Sequence, residues 1–581
     1  MHASEPCQCS SVLSLDEAQA ARNDRATLCF ITTRREVSVV GLTMHALRSH
    51  LAAASALAAI LLQAPIAIAA SPAKGLVAPA SAERLLHTEA ARIPYQVSWT
   101  ETPLSAAPGG APQAVMSTLT YLRRDAVQLD KRPVLFVWGG GPGGQSVEMA
   151  FRGLGPRRLG SIDGNGAQKF VDNPGSLIDA ADLVFIDAAG TGFTGEVIPG
   201  GGRPYWGVNG DAAAFEVAIR GWLEAHGRAR SPIYLMGESY GGFRVGKVLG
   251  RLKGVNVAGA ILVSPGMNLS AVRGDLTAVS ADPNWVGGID DDQAFINNLP
   301  TMAVVAVMHH CVAGKGRTTA EIYEEARRFA QGPYASALQQ GDALPQDDKV
   351  QIAERIADLI GLPAKILVDA NLRLQSQAFL ESLIPGRVVG RLDARVLGEP
   401  PKPQAGAPRI GAKDDPSLGM HSANVVMSPQ AARYLKDEVG VRTDRPYVRV
   451  NLDVNEAWDW NSGDKSLEAN IAGLNVGPEL GSYLRQASQA RLMLLSGYYD
   501  MAIPVLAQEG ELAHIGAPRD RIVIKRYETG HEIGNDPAAA QRLTADIRDF
   551  LSAAPAPRKK GRQPTPAWPS SMRSPATRRL P

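Results

Sequence analysis

The stretch Ile233-Tyr-Leu-Met-Gly-Glu-Ser-Tyr-Gly-Gly242 places a Gly-x-Ser-x-Gly motif between two different local patterns. The run from Ile233 to Met236 is short and apolar, as in a buried strand, and the run from Phe243 to Leu252 is helix-like. Between a strand and a helix, this motif forms a sharp turn that holds the serine hydroxyl clear of the backbone. The motif alone is weak evidence, because it also occurs by chance. Ser239 is therefore a candidate nucleophile that needs partners elsewhere in the chain.

Two polar residues near the carboxyl terminus are the candidate partners of Ser239. Asp500 follows the strand-like run from Arg491 to Leu495. His531 follows the run from Arg521 to Tyr527. A serine hydroxyl is a poor nucleophile until an imidazole accepts its proton, and a carboxylate orients that imidazole. The order serine, aspartate, histidine is that of the triad in α/β-hydrolases. The alternatives are a helix cap for Asp500 and an ordinary loop residue for His531.

Strand-like runs alternate with an amphipathic helix in the first half of the chain. The clearest buried-type runs are Pro133–Trp138, Ala181–Asp187 and Ala258–Ser264. We expect Asp211 to cap the helix whose apolar face includes Phe215 and Trp222. The runs Tyr95–Thr100 and Val115–Leu122 predict an antiparallel edge. The pattern indicates an α/β fold of the α/β-hydrolase kind, with a mostly parallel central sheet.

The alternation stops in residues 282–421, which we interpret as a helical cap insertion over the site. A separate helical domain without a catalytic role is the alternative. Helical patterns occur at 319–331, 350–360 and 364–380. The predicted hydrolase core consists of residues 70–281 and 422–552.

The amino-terminal region carries the pattern of an export signal. Residues 1–43 are polar without a sustained period, and we predict that they are not part of the native product. Residues 44–69 have a basic start, an apolar middle and a small-x-small end, as in a secretory signal peptide. A single membrane anchor is the alternative, since the apolar run is about long enough to span a bilayer. Cleavage near Ala70 predicts a periplasmic or secreted protein without stable membrane insertion.

Charge and cysteine content narrow the functional classes. The formal net charge of the 581 residues is +2, but the proline-rich tail 553–581 contributes seven positive charges and no negative one. We predict that this tail is disordered. Because residues 1–69 are neutral, the body carries a net charge of −5, and nothing indicates nucleic-acid binding. Without residues 1–69, Cys311 is the only cysteine, which excludes an internal disulfide. No motif indicates an oligomeric state.

The run His309-His310-Cys311 is the one sequence feature that suggests a metal ligand set. Consecutive residues point in different directions on a helix and on a strand, so they rarely chelate one ion. We therefore predict no metal site and no cofactor.

Several blocks of this chain resemble the serine carboxypeptidases (peptidase family S10), especially their bacterial branch. The blocks occur in family order and cover residues of about 130 to 550, whereas a general esterase would share only the serine turn and the triad. The cap between them matches no family motif. The matching blocks are Gly139–Ser146, Gly153–Arg157, Asp172–Leu177, Leu183–Asp187, Gly190–Gly192, Gly237–Gly242, Ser496–Asp500 and Gly530-His531.

The resemblance implies a serine-type carboxypeptidase that removes carboxy-terminal residues from peptides through an acyl-enzyme. Ser239 is then the nucleophile, His531 the general base and acid, and Asp500 the orienting carboxylate. The resemblance further implies an oxyanion hole made by the backbone N–H groups of Gly141 and Tyr240.

The implied substrate-binding residues are Gly139, Gly140 and Glu238, and two positions here depart from the family pattern. Family members typically have asparagine at the position of Gly139 and often glutamate at that of Gly153. Those side chains and the glutamate before the serine bind the terminal carboxylate of the peptide. Arg152, Arg157 and Arg158 are candidates for a replacement charge, with solvent-facing arginines as the alternative. An esterase or acyltransferase on the same scaffold, or a non-catalytic binding protein, therefore stays open.

Overall fold

A nine-stranded sheet forms the centre of the fold. The computed structural model describes residues 76–107, 109–162, 168–269, 292–400, 414–421, 423–460 and 474–553. The predictions for residues 1–43, for residues 44–69 and for the tail beyond residue 553 lie outside these ranges. In chain order, the strands are β1 (Ala80–His87), β2 (Arg92–Leu104), β3 (Ala114–Arg123), β4 (Val134–Trp138), β5 (Arg157–Ile162), β6 (Gln168–Asp172), β7 (Asp182–Asp187), β8 (Ile233–Glu238), β9 (Val257–Val263), β10 (Val388–Val389), β11 (Leu397–Gly398), β12 (Val425–Met427), β13 (Val448–Asn451), β14 (Arg491–Gly497) and β15 (Ile522–Tyr527).

The order of strands in the sheet is β1-β2-β3-β7-β4-β8-β9-β14-β15. The six strands from β7 to β15 pair in parallel, and β1 to β3 form an antiparallel edge, as expected. β4 and β7 are buried along their whole length, because helices and loops cover both faces of a parallel sheet. The predicted α/β-hydrolase fold is confirmed. The remaining strands form three two-stranded sheets outside it.

Helices occur both between the strands of this sheet in the sequence and within residues 282–421. In chain order they are α1 (Val208–Ala225), α2 (Tyr240–Arg251), α3 (Asp292–Met308), α4 (Thr319–Phe329), α5 (Ala335–Gln340), α6 (Gln346–Ile360), α7 (Ala364–Asp369), α8 (Ser376–Ser382), α9 (Pro429–Tyr434), α10 (Leu452–Glu456), α11 (Gly477–Gln486), α12 (Val505–His514) and α13 (Pro537–Ser552). Among the described residues, no helix combines the length and the apolar character needed to cross a membrane.

The prediction that Asp211 caps α1 was wrong. The helix begins at Val208 with Gly207 as its N-cap, so Asp211 lies inside the first turn. Asp211 is buried there, and Arg244 of α2 donates a hydrogen bond from Nε to its Oδ2 over 2.6 Å. Asp211 therefore forms an ion pair with Arg244 of another helix, whereas local sequence rules predict that it caps α1.

The insertion is helical over most of its described part, with differences from the predicted helices. α3 was missed because residues 294–306 are buried on every side, so the sequence shows no amphipathic period. The single helix expected at 364–380 is two helices, α7 and α8. Between them Asn371 and Leu372 have positive φ angles of 47° and 65°, which an α-helix cannot contain.

The fold brings the predicted functional residues to one edge of the sheet. β8, β14 and β15 are all members of the parallel part, so their carboxyl ends lie on the same side. Ser239 directly follows β8, and Asp500 and His531 lie three and four residues beyond β14 and β15. Open parallel sheets bind ligands at this edge.

Candidate active site

Ser239 occupies a strained turn between β8 and α2. Its φ of 61° and ψ of −127° lie outside the regions that a residue with a side chain normally adopts. The chain reverses so closely that a Cβ atom at Gly237 would collide with the carbonyl oxygen of Gly241. The turn is held by the N–H of Ser239, which donates to Val263 of the neighbouring strand over 2.9 Å. Strain at a serine in this position is typical of a nucleophile elbow.

Asp500 and His531 form a buried pair. His531 Nδ1 lies 2.7 Å from Asp500 Oδ2, and the two residues are 4% and 0% exposed. The other carboxylate oxygen accepts hydrogen bonds from the N–H groups of Ala502 and Ile503 over 2.9 and 3.0 Å. Asp500 thus contacts the imidazole through one oxygen and the turn before α12 through the other, and its orienting role in catalysis stays a prediction.

The pKa of His531 lies above its ordinary value. Burial is the largest single effect and works to lower this pKa, but the carboxylates of Asp500, Glu238 and Glu532 together raise it by more. A negative neighbour favours the imidazolium that forms when histidine accepts a proton. The charge of Asp500 thus favours proton uptake by His531, as a general base requires.

The glycine-rich segment Gly139–Gly144 follows β4 and lies against the elbow. A Cβ atom at Gly140 would come within 2.6 Å of Ser239 Cβ and within 2.9 Å of the backbone nitrogen of Tyr240. The N–H of Gly141 makes no hydrogen bond to any described residue, and Tyr240 opens α2, where N–H groups lack intrahelical partners. Gly141 and Tyr240 thus provide free backbone donors beside the serine, as an oxyanion hole requires.

Buried polar groups hold this glycine-rich segment in place. Ser146 Oγ accepts from the N–H of Gly139 over 3.1 Å, and Arg244 Nη1 donates to the carbonyl of Gly139 over 2.8 Å. Asp187, at the end of β7, accepts from the N–H of Ser146 over 2.7 Å and from the hydroxyl of Tyr447 over 2.9 Å. These four supporting side chains were not identified from the sequence.

Most of the predicted site residues, but not Asp500 or Gly139, line a cavity of about 1000 Å³. Ser239, His531, Gly140 and Gly141 line it together with Glu238 and Tyr240. The insertion contributes further walls, and an aromatic wall is formed by Trp458 and Trp460, whose rings lie 5.3 and 5.9 Å from the ring of Tyr240. Gly139 lies at the base of the loop and is not among the lining residues.

Arg152 connects two glutamates at this cavity. Its guanidinium lies 3.4 Å from Glu238 and 2.9 Å from Glu532, the residue after the histidine. Burial raises the pKa of Glu238, and Arg152 opposes this only in part. Burial also acts to raise the pKa of Glu532, but Arg152 and Arg449 lower it below the ordinary value. Arg152 is thus near the site.

The other candidate arginines and the candidate metal ligands lie elsewhere. Arg157 pairs with Asp172 and Glu438, Arg158 is exposed, and neither arginine lines the cavity. His309 Nε2 lies 2.6 Å from the carbonyl oxygen of Ala394. Within the ranges that the structure describes, no group of three or more His, Cys, Asp or Glu side chains is placed to hold a metal ion.

Comparison of the sequence with known protein families finds one match. Residues 119–272, which contain the elbow and the glycine-rich segment, match the family model described as serine carboxypeptidase (Peptidase_S10). No curated protein matches the chain.

Among solved structures, a prohormone-processing carboxypeptidase from Saccharomyces cerevisiae is 15% identical, with a TM-score of 0.46, over 79% of this chain and 91% of that one. A proline iminopeptidase-related protein from Thermus thermophilus is 14% identical, with a TM-score of 0.31, over 78% and 98%. A carboxyl esterase from Bacillus coagulans is 12% identical, with a TM-score of 0.33, over 78% and 97%. The sheet topology is that of the α/β-hydrolase fold, and residues 119–272 are similar to the serine carboxypeptidases.

Proposed function

We propose that the protein is a serine-type carboxypeptidase that hydrolyses carboxy-terminal residues from peptides. The observation that carries this proposal is the buried contact of 2.7 Å between His531 Nδ1 and Asp500 Oδ2, at a cavity that Ser239 also lines. The match of residues 119–272 to the serine carboxypeptidase family supports peptides as the substrate class.

In the proposed acylation step, Ser239 Oγ attacks the carbonyl carbon of the last peptide bond while His531 Nε2 accepts the hydroxyl proton. Asp500 stabilises the resulting imidazolium. The N–H groups of Gly141 and Tyr240 donate to the oxyanion of the tetrahedral intermediate. The C–N bond then breaks, and the imidazolium gives its proton to the departing amine, which leaves as the free carboxy-terminal amino acid.

In the proposed deacylation step, water attacks the ester carbonyl of the acyl-serine. His531 accepts a proton from this water and returns it to Ser239 Oγ as the C–O bond breaks. The products are the shortened peptide and the regenerated hydroxyl. This mechanism uses no metal and no cofactor.

A second candidate, an esterase or acyltransferase on the same scaffold, is favoured by the two departures from the family pattern. A Cβ atom at Gly139 would collide with the carbonyl oxygen of Gln145. Gly153 has a φ of 119°, a conformation that residues with side chains rarely adopt. A side chain at either position would strain this backbone, and the glycines present offer none, so the carboxylate of a peptide needs another partner. A non-catalytic binding protein is the third candidate.

The deciding experiment compares a blocked dipeptide with a free carboxylate, its amide and a simple ester, with Ser239→Ala as the control. Cleavage of the free acid that Ser239→Ala abolishes would support the carboxypeptidase. Cleavage of the ester alone would support the second candidate. If a fluorophosphonate probe fails to label Ser239 and nothing is cleaved, the third candidate, a non-catalytic binding protein, is favoured.

We also propose that the protein is exported, with a signal peptide at residues 44–69, and that residues 282–421 form the cap of a core made of residues 70–281 and 422–552. The pattern of residues 44–69 supports the first point, and the cavity-lining residues of the insertion support the second. Amino-terminal sequencing of the secreted protein should find a start near Ala70. A start upstream of Met44 would contradict the export proposal.

A further inference from the structure

The turn between β10 and β11 brings a residue of the insertion to the triad. This turn contains Arg391 and Leu392, and both line the cavity that also contains Ser239 and His531. No sequence motif distinguishes Arg391 from the other arginines of the insertion. Its position depends on contacts with distant parts of the chain.

Backbone hydrogen bonds attach this turn to both catalytic loops. The N–H of Met501, next to the triad aspartate, donates to the carbonyl of Arg391 over 3.0 Å. The N–H of His531 itself donates to the carbonyl of Leu392 over 2.7 Å. Asp415 accepts from the N–H groups of Arg391 and Leu392 over 3.2 and 3.3 Å. The Cα atom of Arg391 is therefore held at a fixed place beside the triad.

The side chain of Arg391 differs from the other cationic side chains at the cavity. Arg152 is paired with Glu238 and Glu532, and Arg449 lies 3.3 Å from Glu148. Arg391, by contrast, forms no ion pair with any described residue, and its Nε atom, like that of Arg152, is buried without a hydrogen-bond partner. A partly buried guanidinium without an anion is costly, because the lost hydration is not replaced. A ligand with an anionic group would supply both the counter-charge and the hydrogen-bond acceptors that Arg391 lacks.

We propose that Arg391 is a specificity-determining residue that binds the free carboxylate of the substrate. A guanidinium binds a carboxylate through two parallel hydrogen bonds, which adds orientation to charge. Gly139 and Gly153 have no side chain to offer, and Arg391 is a charged group already placed beside the triad. The inference rests on the proposed carboxypeptidase activity and names the group that would select its substrates.

Binding to full-length protein carrying Ser239→Ala tests this proposal without catalysis. The probes are N-acetyl-phenylalanyl-alanine and its carboxamide, measured by calorimetry. We expect the acid to bind more tightly than the amide, and Arg391→Met to reduce the ratio of the two affinities by at least about 30-fold, as for loss of one partner of a buried charge pair. Arg391→Lys should recover part of the ratio. The matched control is Arg328→Met on α4, since Arg328 is exposed and does not line the cavity.

Each outcome decides the proposal. An acid-to-amide ratio that Arg391→Met leaves unchanged, equal binding of both probes, or no binding of either would overturn it. If the ratio depends on Arg391 but the unmodified protein hydrolyses no peptide, the binding role stands and the proposed activity fails. If the unmodified protein hydrolyses acid and ester alike without dependence on Arg391, the hydrolase stands and the binding role fails.

Discussion

The two carboxylate oxygens of Asp500 have different partners, and this separates its two roles. Oδ2 contacts His531, whereas Oδ1 accepts backbone N–H groups. Asp500→Asn can keep the backbone contacts but places an amide beside the imidazole. We expect kcat to fall on the order of 10³- to 10⁴-fold with little change in melting temperature, because the imidazolium loses its counter-charge. Initial rates on the blocked dipeptide would show this, with the exposed Asp347→Asn as control. An unchanged kcat would remove Asp500 from the triad.

The raised pKa of His531 makes a prediction about pH. Only the neutral imidazole accepts the serine proton, so activity declines as the pH falls through the pKa of His531. Since this pKa lies above its ordinary value of about 6.5, the acid limb of kcat/KM should have its midpoint above that pH. A pH profile with a neutral ester avoids titration of the substrate. A midpoint below 6.5 would show that the environment of His531 differs from the one described.

Gly140 lies so close to the elbow that a single methyl group tests the site. Its added Cβ would meet Ser239 Cβ and the carbonyl oxygen of Glu238, each at 2.6 Å. We expect Gly140→Ala to displace the serine or the oxyanion donors and lower kcat by at least about 100-fold. The control is Gly221→Ala in α1, where a Cβ meets nothing within 4 Å. That change should stabilise the fold by about 0.5–1 kcal/mol and leave kcat unchanged. Equal kcat values for the two variants would contradict the proposed geometry.

At the scale of elements, the end of β7 supports the glycine-rich segment through one buried carboxyl group. Burial raises the pKa of Asp187 to about 6, although Ser146, Tyr447 and Ser117 donate hydrogen bonds that lower it. An unfolded aspartate has a pKa of about 3.9. The folded state therefore binds this proton more tightly, and Asp187 contributes stability at low pH that is lost as the pH rises through about 6.

Asp187→Asn cannot ionise, so it should remove this dependence. The free energy of unfolding of the variant minus that of the unmodified protein should increase between pH 4 and 7, on the order of 2 kcal/mol. Denaturant unfolding at several pH values measures the difference. A difference that stays constant over this range would mean that Asp187 is ionised throughout. In that case the hydrogen bonds that it accepts would outweigh the effect of burial on its pKa.

For the whole molecule, the proposed insertion and the segment after β14 share one hydrophobic cluster. Residues of α3, α4 and α6 pack with Tyr498 and Met501, which lie on either side of Asp500. The turn at Arg391 adds hydrogen bonds to the same loops. Loss of the insertion should therefore disturb the site as well as expose it.

Arg373→Met tests this coupling. Arg373 donates to both oxygens of the buried Asp292 over 2.8 and 3.1 Å, within the insertion. Removing the guanidinium that neutralises this carboxylate should cost about 3–5 kcal/mol. We expect activity and circular dichroism to be lost together on heating, at a lower temperature than in the unmodified protein. Lys365→Met, which breaks an exposed pair with Asp369, should change little. A variant that loses only the helical signal and keeps its activity would show that the insertion is independent.

The sequence by itself was enough to predict the elements that carry Ser239, Asp500 and His531. Each lies next to a strand whose apolar run is local in the chain, and the antiparallel edge at β2 and β3 also shows a local period. Helix α3 was missed for the same reason, because a helix buried all around has no amphipathic pattern.

Only the tertiary structure decided which charged groups meet at the site. Arg152, Glu238 and Glu532 are far apart in the chain, and a pattern of neighbours contains no information about such contacts. The same holds for Asp211. Sequence rules predict that it caps a helix, but in the fold it pairs with Arg244. Arg391 reaches the triad only because the insertion folds back onto the loops after β14 and β15. Local periodicity determines the strands and helices, but long-range packing determines which side chains lose water together and must therefore pair.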